Sequence, residues 1–311
     1  MLENYPPKDK GDNENGINFA KTGFFPQYGL QEDKRSLNLR HSFGGGKMHT
    51  RFIISDSEHF YLGSANLDWR SLSQSLKLEL GVIVENCSCL AKDLSDIFEK
   101  YWEIANNKYR SEDLEIMKKY AESNQRTITY NQHQPLSISN EYAFADVYIA
   151  KKIPMKKKEA THFPEYSLKF LSSLEVLNKI NDSSVEVKIF KVPTYFDLQQ
   201  IMKRERRMHT KFLVTDTVGI VGTSNWAGDY FDGGTTRAAF ILNQTKVPLE
   251  KRHFVRDLRY TFLSHWWQYN TFSEYFPRNI RALISTPMLR LRSEYSNLIF
   301  ANIILQNTIE Q

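Results

Sequence analysis

Two stretches of the chain repeat the same reactive residue types at nearly the same spacing. The first reads MHTRFIISDSEHFYLGSANLDW from Met48, and the second reads MHTKFLVTDTVGIVGTSNW from Met208. Each contains a histidine, a cation two residues later, an aspartate five residues after the cation, and a Gly-Ser/Thr-x-Asn end. A lone histidine or a lone Gly-Ser-x-Asn turn is more often structural than catalytic. Packing alone, however, would not require the same polar residues twice.

The repeated residue types predict an anion pocket. Alternation along a strand places each histidine on the same face as its cation. The cation and the asparagine amide can donate hydrogen bonds to phosphoryl oxygens, and the imidazole can attack phosphorus or protonate a leaving oxygen. Two facing half-sites would supply one nucleophile and one acid for a two-step phosphodiester cleavage. The residues are His49, Arg51 and Asn66 in the first copy, and His209, Lys211 and Asn225 in the second.

The surrounding elements follow the same order after each copy, which indicates an internal duplication of a half-domain. Short runs of β-branched and aromatic residues predict strands, and apolar residues spaced by three and four predict amphipathic helices. The predicted strands cover 51–55, 60–62, 79–84, 185–192 and 238–242, and the predicted helices cover 90–105, 168–180 and 252–267.

Composition and segment character divide the chain into five parts. With 311 residues, 41% hydrophobic and 25% charged, it should form a folded core. The net charge of +5 is compatible with an anionic partner but does not require one. We predict an irregular N-terminus (1–44), a first motif half (45–110), a linker (111–140), a second motif half (141–275) and an unassigned tail (276–311).

The duplicated string resembles the phospholipase D signature His-x-Lys-x4-Asp-x6-Gly-Ser/Thr-x-Asn. The stretches FYLGSANLDWRSLSQ, ELGVIVENCSCLAKDL, IFEKYW and VGTSNWAGDYF are more closely similar to the animal endolysosomal phospholipase-D-like proteins, which are 5′ exonucleases on single-stranded nucleic acid. The resemblance implies an α/β fold with two half-domains, mixed β-sheets flanked by helices, a pseudo-two-fold relation, and a site at the interface of the halves.

The resemblance also implies a role for each motif residue. His49 matches the nucleophile that forms a phosphohistidine, and His209 matches the general acid that later activates water. Glu79 matches a downstream acid that orients a histidine ring nitrogen. The phosphate would be clamped by four further catalytic candidates, Arg51, Lys211, Asn66 and Asn225. The aspartates of the motif, Asp56 and Asp216, are interpreted as anchors of the motif loops.

Four further residues are candidates for contact with the substrate. Ser64 and Thr223 would be small hydroxyl donors at the rim of the pocket. Trp226 and Tyr230 follow the second copy, where aromatic rings could stack on bases or could simply fill core.

The implied function is a metal-independent and cofactor-free phosphodiesterase that hydrolyses single-stranded DNA or RNA from its 5′ end. A phospholipase or transphosphatidylase acting on phospholipid headgroups stays open, and so does a catalytically inactive phosphate-binding homologue. The resemblance further implies an endolysosomal or ER-lumenal glycoprotein, leaves a homodimer open, and allows membrane association only through an anchor absent from this chain. Sequons at Asn86, Asn181 and Asn243 agree with glycosylation.

Three departures from the family pattern bear on activity. Arg51 replaces the motif lysine, and this exchange is not conservative at a tight site because the guanidinium is longer and planar. The resemblance starts almost at the first motif, and the segment before the second motif is shortened. Cys87 and Cys89 have no other cysteine in the chain to pair with. We therefore expect a truncated or exon-skipped form of a complete enzyme.

Overall fold

The computed structural model describes the motif segments, the strands around them and two long helices. The described residues are 2–4, 33, 35–39, 46–66, 71, 76–105, 129–139, 144–152, 183–190, 192–193, 201, 206–225, 230, 235–267, 271–272, 286–293 and 296–302. The predicted helix over 168–180 and the candidate Trp226 lie outside these residues.

Short strands dominate the described part of the chain, together with two α-helices. The strands are β1 (Leu2–Asn4), β2 (Arg35–Leu37), β3 (Phe52–Ser55), β4 (His59–Gly63), β5 (Lys77–Leu78), β6 (Gly81–Val84), β7 (Leu136–Ser139), β8 (Phe144–Lys152), β9 (Ser183–Phe190), β10 (Arg207–Met208), β11 (Phe212–Val214), β12 (Val218–Gly222), β13 (Arg237–Asn243), β14 (Thr271–Phe272), β15 (Thr286–Ser293) and β16 (Ser296–Asn302). The helices are α1 (Ser88–Ile104) and α2 (His253–Trp266), and a 3₁₀ turn, Leu249–Lys251, precedes α2.

The predicted order of three strands and a helix is present in both halves. In the first half, β3, β4 and β6 are antiparallel neighbours, and α1 follows them. In the second half, β11, β12 and β13 are antiparallel neighbours, and α2 follows them. The first hairpin is one residue longer, and its turn places Asp56 and Ser57 in the left-handed region, with φ of 54° and 59°. The duplication therefore extends from sequence to strand pairing.

Each helix buries one apolar face, as the spacing of its apolar residues predicts. The buried residues of α1 include Leu90, Leu94, Ile97 and Tyr101. Those of α2 are Val255, Leu258, Phe262 and Trp266. A Cβ added to Gly219 of β12 would approach the Phe254 ring to 2.8 Å, so α2 packs closely on that side of the sheet. The two helix predictions are confirmed, with ends within two residues of the expected ones.

The sheets confirm the α/β prediction and join the two halves. A nine-stranded sheet has the order β14-β9-β15-β16-β11-β12-β13-β8-β7. Its neighbouring strands are all antiparallel, whereas the two-stranded pairs β1–β2 and β10–β5 are parallel. The buried apolar residues of both halves form one hydrophobic core. The pseudo-two-fold relation between the halves stays a prediction.

Three segments contain more regular structure than we expected. The N-terminal part contributes the parallel pair β1–β2, the predicted linker contains β7, and the tail contributes β15 and β16 to the large sheet. These strands are short or pair with strands distant in sequence, so their partners could not be inferred from local patterns.

Asp93 of α1 connects the helix to a segment distant in sequence. Its side chain is fully buried, and its two carboxylate oxygens accept the backbone N–H groups of Thr129 (2.8 Å) and Tyr130 (3.0 Å). A buried acceptor that serves two backbone donors is costly to remove, because the donors then lose their partner away from water.

We expect Asp93→Ala to lower the free energy of unfolding by about 3 kcal/mol, measured by urea denaturation. The matched control is Asp96→Ala on the same helix. The Asp96 carboxylate pairs with the exposed Lys92 ammonium, so its loss should change stability by less than about 1 kcal/mol. Equal effects of the two substitutions would contradict a structural role for the Asp93 contacts.

Candidate active site

The first motif is fixed to the second half by hydrogen bonds to two threonines. The Lys47 carbonyl accepts the Thr236 N–H at 3.0 Å, and the Lys47 N–H donates to Thr235 Oγ1 at 3.3 Å. The His49 N–H donates to Thr236 Oγ1 at 3.0 Å, and the Thr50 hydroxyl donates to the same oxygen at 2.9 Å. The backbone of His49 is thus positioned by the start of β13.

The second motif is in turn fixed to the first half by backbone hydrogen bonds. Strand β10 pairs with β5, and the His209 N–H donates to the Leu78 carbonyl at 2.8 Å. One step earlier, the Arg207 N–H donates to the Leu76 carbonyl at 2.8 Å. Each motif histidine is therefore positioned by backbone or hydroxyl groups of the other half.

Glu79 binds His209 across the boundary between the halves. Its carboxylate oxygens lie 2.9 and 2.8 Å from His209 Nδ1. The Ser64 hydroxyl donates to Glu79 Oε2 at 2.6 Å, which fixes the carboxylate. The side chains are 8% exposed for Glu79 and 17% exposed for His209, so the pair is shielded while the imidazole keeps access to solvent. With Nδ1 bound to Glu79, Nε2 is the ring nitrogen left for chemistry.

Arg51 lies against the ring of His49 instead of facing an open pocket. Its Nη1 and Nη2 are 2.8 Å from His49 Nδ1 and Nε2, and its Nε donates to Asn66 Oδ1 at 2.5 Å. The guanidinium also donates to the Thr223 carbonyl of the second half at 3.0 Å. Because a guanidinium only donates, a ring nitrogen that accepts from it must be unprotonated. A substrate phosphate would have to draw Arg51 away from Nε2.

Lys211, the cation of the second motif, makes a different contact. Its ammonium donates to the His209 carbonyl at 2.8 Å, and the residue is 1% exposed. Burial and the Arg51 charge lower its pKa well below the usual 10.5, while Glu79 opposes the shift. An incoming phosphate would supply the negative charge that this buried cation lacks.

The two Gly-Ser/Thr-x-Asn turns are built alike. The Leu80 N–H donates to Ser64 Oγ at 2.9 Å, and the Ala238 N–H donates to Thr223 Oγ1 at 3.2 Å. Ser64 and Thr223 are both fully buried, so they support the turns and do not lie at the rim as we expected.

Asn225 and Tyr230 form the side of the site next to His49. Asn225 Nδ2 donates to the Tyr230 hydroxyl at 3.2 Å, and Asn225 Oδ1 is buried without a hydrogen-bond partner among the residues that the structure describes. The Tyr230 ring meets the His49 ring edge-on, with centroids 4.8 Å apart. Tyr230 is 2% exposed, so it packs on the histidine as part of the core.

The motif aspartates lie at the far ends of the motif strands. Asp56 is exposed in the β3–β4 turn and accepts the Ser55 hydroxyl at 2.8 Å. Asp216 accepts a hydrogen bond from Arg259 of α2 at 3.1 Å, and its carbonyl accepts one from Arg252. These positions agree with the interpretation of the aspartates as loop anchors.

The site has more cations than the motifs alone indicate. The ammonium of Lys77 lies close enough to lower the pKa of both His209 and Lys211. Lys77 could have been found from the sequence, because it precedes Glu79 by two residues and so shares its strand face. With Arg51 and Lys211, three cations surround one carboxylate, and this excess of positive charge suits a phosphate-bearing substrate.

Both motif histidines have lowered pKa values. Burial, followed by the charges of Arg51, Lys211 and His209, lowers the pKa of His49 well below 6.5, against an opposing hydrogen bond that the ring donates to the Thr223 backbone. Burial, followed by the charges of Lys211, Lys77 and Arg51, lowers the pKa of His209, against an opposing hydrogen bond that the ring donates to the Ser64 backbone. The Glu79 carboxylate at Nδ1 is the negative group that favours the protonated form of His209.

Metal ligands and membrane-spanning helices were also sought. Within the described ranges, no three His, Cys, Asp or Glu side chains cluster as metal ligands would. The expectation of a metal-independent reaction stays a prediction. Neither helix in the described part of the chain is long and apolar enough to cross a bilayer.

Comparison with known proteins identifies the family. The domain family described as "PLD3/4, PLD-like domain" matches residues 35–117. The "5'-3' exonuclease PLD3" of Xenopus tropicalis is 32% identical over an alignment covering 65% of this chain and 52% of that protein. The human protein of the same name is 31% identical, covering 60% and 49%. Over these segments the chain is similar to proteins of the phospholipase D superfamily.

Two other similarities are more distant. "Probable phospholipase D F09G2.8" of Caenorhabditis elegans is 27% identical, covering 72% of this chain and 51% of that protein. The crystal structure of phosphatidylserine synthase from Haemophilus influenzae Rd KW20 superposes with a TM-score of 0.48 at 9% identity, covering 88% of this chain and 74% of that one. The chain spans about half the length of the curated relatives it matches.

We expect kcat/KM for phosphodiester hydrolysis to follow a bell-shaped pH profile with its maximum below pH 6.5. In a reaction that uses two histidines, the nucleophile must be neutral and the acid protonated, and the pKa values of His49 and His209 both lie below 6.5. Activity should therefore fall above the higher of the two values, where the acid loses its proton. A maximum above neutral pH would contradict this arrangement.

The matched variant is Glu79→Gln, which keeps the size of the side chain and removes the charge beside His209 Nδ1. Loss of the carboxylate destabilises the imidazolium, so the alkaline limb should move to lower pH while the acidic limb stays in place. A shift of the acidic limb instead would mean that Glu79 acts on His49.

Proposed function

We propose that this chain is a phosphodiesterase acting through a phosphohistidine, with His49 as nucleophile and His209 as general acid and base. The single observation that carries the proposal is the contact between Glu79 and His209 Nδ1 across the two halves. It supports one composite site to which each motif contributes a histidine.

The unequal surroundings of the two histidines support the division of roles. His209 has a carboxylate at Nδ1, which stabilises the imidazolium that a general acid requires. His49 instead has the Arg51 guanidinium at both ring nitrogens, and this contact favours the neutral imidazole that a nucleophile requires.

The proposed reaction has two balanced steps. In the first, His49 Nε2 attacks phosphorus, the bond from phosphorus to the leaving oxygen breaks, and His209 gives its proton to that oxygen. In the second, His209 removes a proton from water, the water oxygen attacks phosphorus, and the phosphorus–nitrogen bond breaks to free His49. Arg51 and Lys211 stabilise the charge that builds on the phosphoryl oxygens in both steps.

We propose single-stranded nucleic acid, attacked from the 5′ end, as the substrate. The excess of cations at the site suits a polyanion, and two relatives with about the same identity are named 5'-3' exonucleases. A phospholipid headgroup is the alternative, because the same chemistry applies and another relative is named as a phospholipase D. The acidic pH optimum predicted above suits an endolysosomal location, which we propose with the same activity.

A catalytically inactive phosphate-binding homologue is the second candidate, and the position of Arg51 favours it. The guanidinium contacts His49 Nε2, the atom that must attack phosphorus. A lysine at this position has one ammonium and cannot reach both ring nitrogens together. If the Arg51–His49 contact persists when phosphate binds, the chain would bind a phosphodiester without cleaving it.

The deciding experiment offers the chain single-stranded DNA and, separately, phosphatidylcholine vesicles at acid pH. We expect a 5′-labelled strand to release its label as a mononucleotide and a 3′-labelled strand to shorten progressively. His209→Ala should reduce the rate at least about a hundredfold, since a general acid contributes that much. The control His133→Ala removes an exposed histidine far from the motifs in sequence and should leave the rate unchanged.

The other outcomes distinguish the candidates. Release of choline without DNA cleavage would replace the nuclease by the phospholipase. Cleavage of neither substrate by the natural chain, but of one by Arg51→Lys, would support the inactive homologue. Undiminished cleavage by His209→Ala, or no cleavage even with Arg51→Lys, would overturn the phosphodiesterase proposal.

A further inference from the structure

Corresponding strand registers allow positions in the two halves to be equated. Gly63 pairs with Gly81 in the first half, and Gly222 pairs with Ala239 in the second. The hydrogen bond from the Ser64 N–H to the Leu80 carbonyl has its counterpart in that from the Thr223 N–H to the Ala238 carbonyl. By the same registers, Tyr61 corresponds to Ile220, Gly81 to Ala239, Ala65 to Ser224 and Glu79 to Arg237.

In the first half, an aromatic ring fills a slot on the sheet face that carries Arg51. The ring of Tyr61 lies over Gly81, so close that any Cβ added there would collide with it. Gly63 is likewise covered by the Tyr61 hydroxyl and by Gly81. The hydroxyl accepts the Ala65 N–H at 3.3 Å. The two glycines are thus required by the tyrosine ring that packs on them.

In the second half, the corresponding place is a cavity of about 280 Å³. Ile220 stands where Tyr61 stands in the first half, and its side chain is shorter and has no ring. Ala239 replaces Gly81, and a Cβ added to Gly222 would meet only the Ala239 methyl group at 3.3 Å and the Ala238 carbonyl at 3.4 Å. The cavity volume lies just below the range of about 300–1,000 Å³ typical of small-molecule sites.

The lining of the cavity combines apolar and polar residues. Ile220, Ala239 and Ile241 form its apolar floor, and Lys211 and Asn225 of the second motif line the cavity as well.

We propose that this cavity, the base slot, binds a nucleobase next to the scissile phosphate. The proposal rests on the proposed function, because the base slot shares Lys211 and Asn225 with the phosphate site. Tyr61 provides the internal template, since the same fold holds a flat ring with a polar edge at the equivalent place. A nucleobase has a flat face for the apolar floor and edge groups that can accept hydrogen bonds from the Arg237 guanidinium.

An acyl chain fits the base slot less well. It would cover the apolar floor, but it offers no hydrogen-bond acceptor to the polar part of the lining. Arg237, which also lines the base slot, adds a planar guanidinium that can stack on or donate to a heteroaromatic ring. These features favour a nucleobase over a lipid tail.

The test compares three oligothymidylates: one complete, one lacking the base of its 5′-terminal nucleotide, and one lacking the base of the next nucleotide. We expect one of the two abasic strands to be cleaved with a kcat/KM at least about tenfold lower than that of the complete strand, because stacking of one base contributes that much. The double variant Ile220→Tyr/Ala239→Gly rebuilds the Tyr61 arrangement in the base slot. It should cleave all three strands at the rate of the poorer abasic strand.

The matched control is Ile83→Tyr, which adds the same ring at a 74% exposed position of the first half and should keep the natural base preference. Should the double variant not unfold cooperatively, Ala239→Leu fills the same volume with one change. Equal cleavage of all three strands by the natural chain, or base preference retained by the filled variants, would overturn the base slot and leave the proposed function standing.

A binding measurement separates the two proposals if no strand is cleaved. Calorimetry would compare thymidine monophosphate with inorganic phosphate on the natural chain and on the double variant. Nucleotide binding about tenfold tighter than phosphate, lost in the double variant, supports the base slot even though the proposed activity has failed. Equal affinities for the two ligands would overturn the base slot.

Discussion

The candidate site depends on hydrogen bonds that hold each motif histidine in place with groups from the other half of the chain. The His49 backbone is held by Thr236, the His209 backbone by Leu78, and the His209 ring by Glu79. None of these partners belongs to the same half as the histidine it positions. A motif strand alone would present its histidine to solvent without a fixed ring orientation. The duplication therefore matters chemically, because each copy provides the framework on which the other copy's histidine is oriented.

The two motif copies correspond in sequence, but the charges around their histidines differ. Glu79 stands beside His209, whereas the corresponding position of the second half is Arg237 and His49 is contacted by Arg51. This asymmetry gives a physical reason for one histidine to act as an acid and the other as a nucleophile. Arg51 also differs from a lysine by more than a simple exchange of cations, since its guanidinium contacts both ring nitrogens of His49. The slot filled by Tyr61 in one half and left as a cavity in the other is a second asymmetry, one of shape.

Local patterns in the sequence predict the strands β3, β4, β6 and β13, both helices and the choice of motif residues, because periodicity and spacing act over a few residues. Contacts between distant residues were harder to predict. Glu79 was expected to orient a ring nitrogen, but its partner lies 130 residues away and is identified by the fold. The burial of Ser64 and Thr223, the approach of Arg51 to His49 and the strand pairing of the tail all depend on tertiary packing. The base slot becomes visible only when the strand registers of the two halves are compared.

The most direct test of the composite site is to trap the phosphoenzyme on the His209→Ala variant. The substrate would be a thymidine 3′-(4-nitrophenyl) phosphate, whose leaving group departs without a general acid, so that only the water-activation step is blocked. Rapid quenching with mass spectrometry should show a burst of about one nitrophenolate per chain and a phosphoryl adduct on His49. The same experiment on His49→Ala should show neither. An adduct on His209, or steady turnover without a burst, would contradict the account.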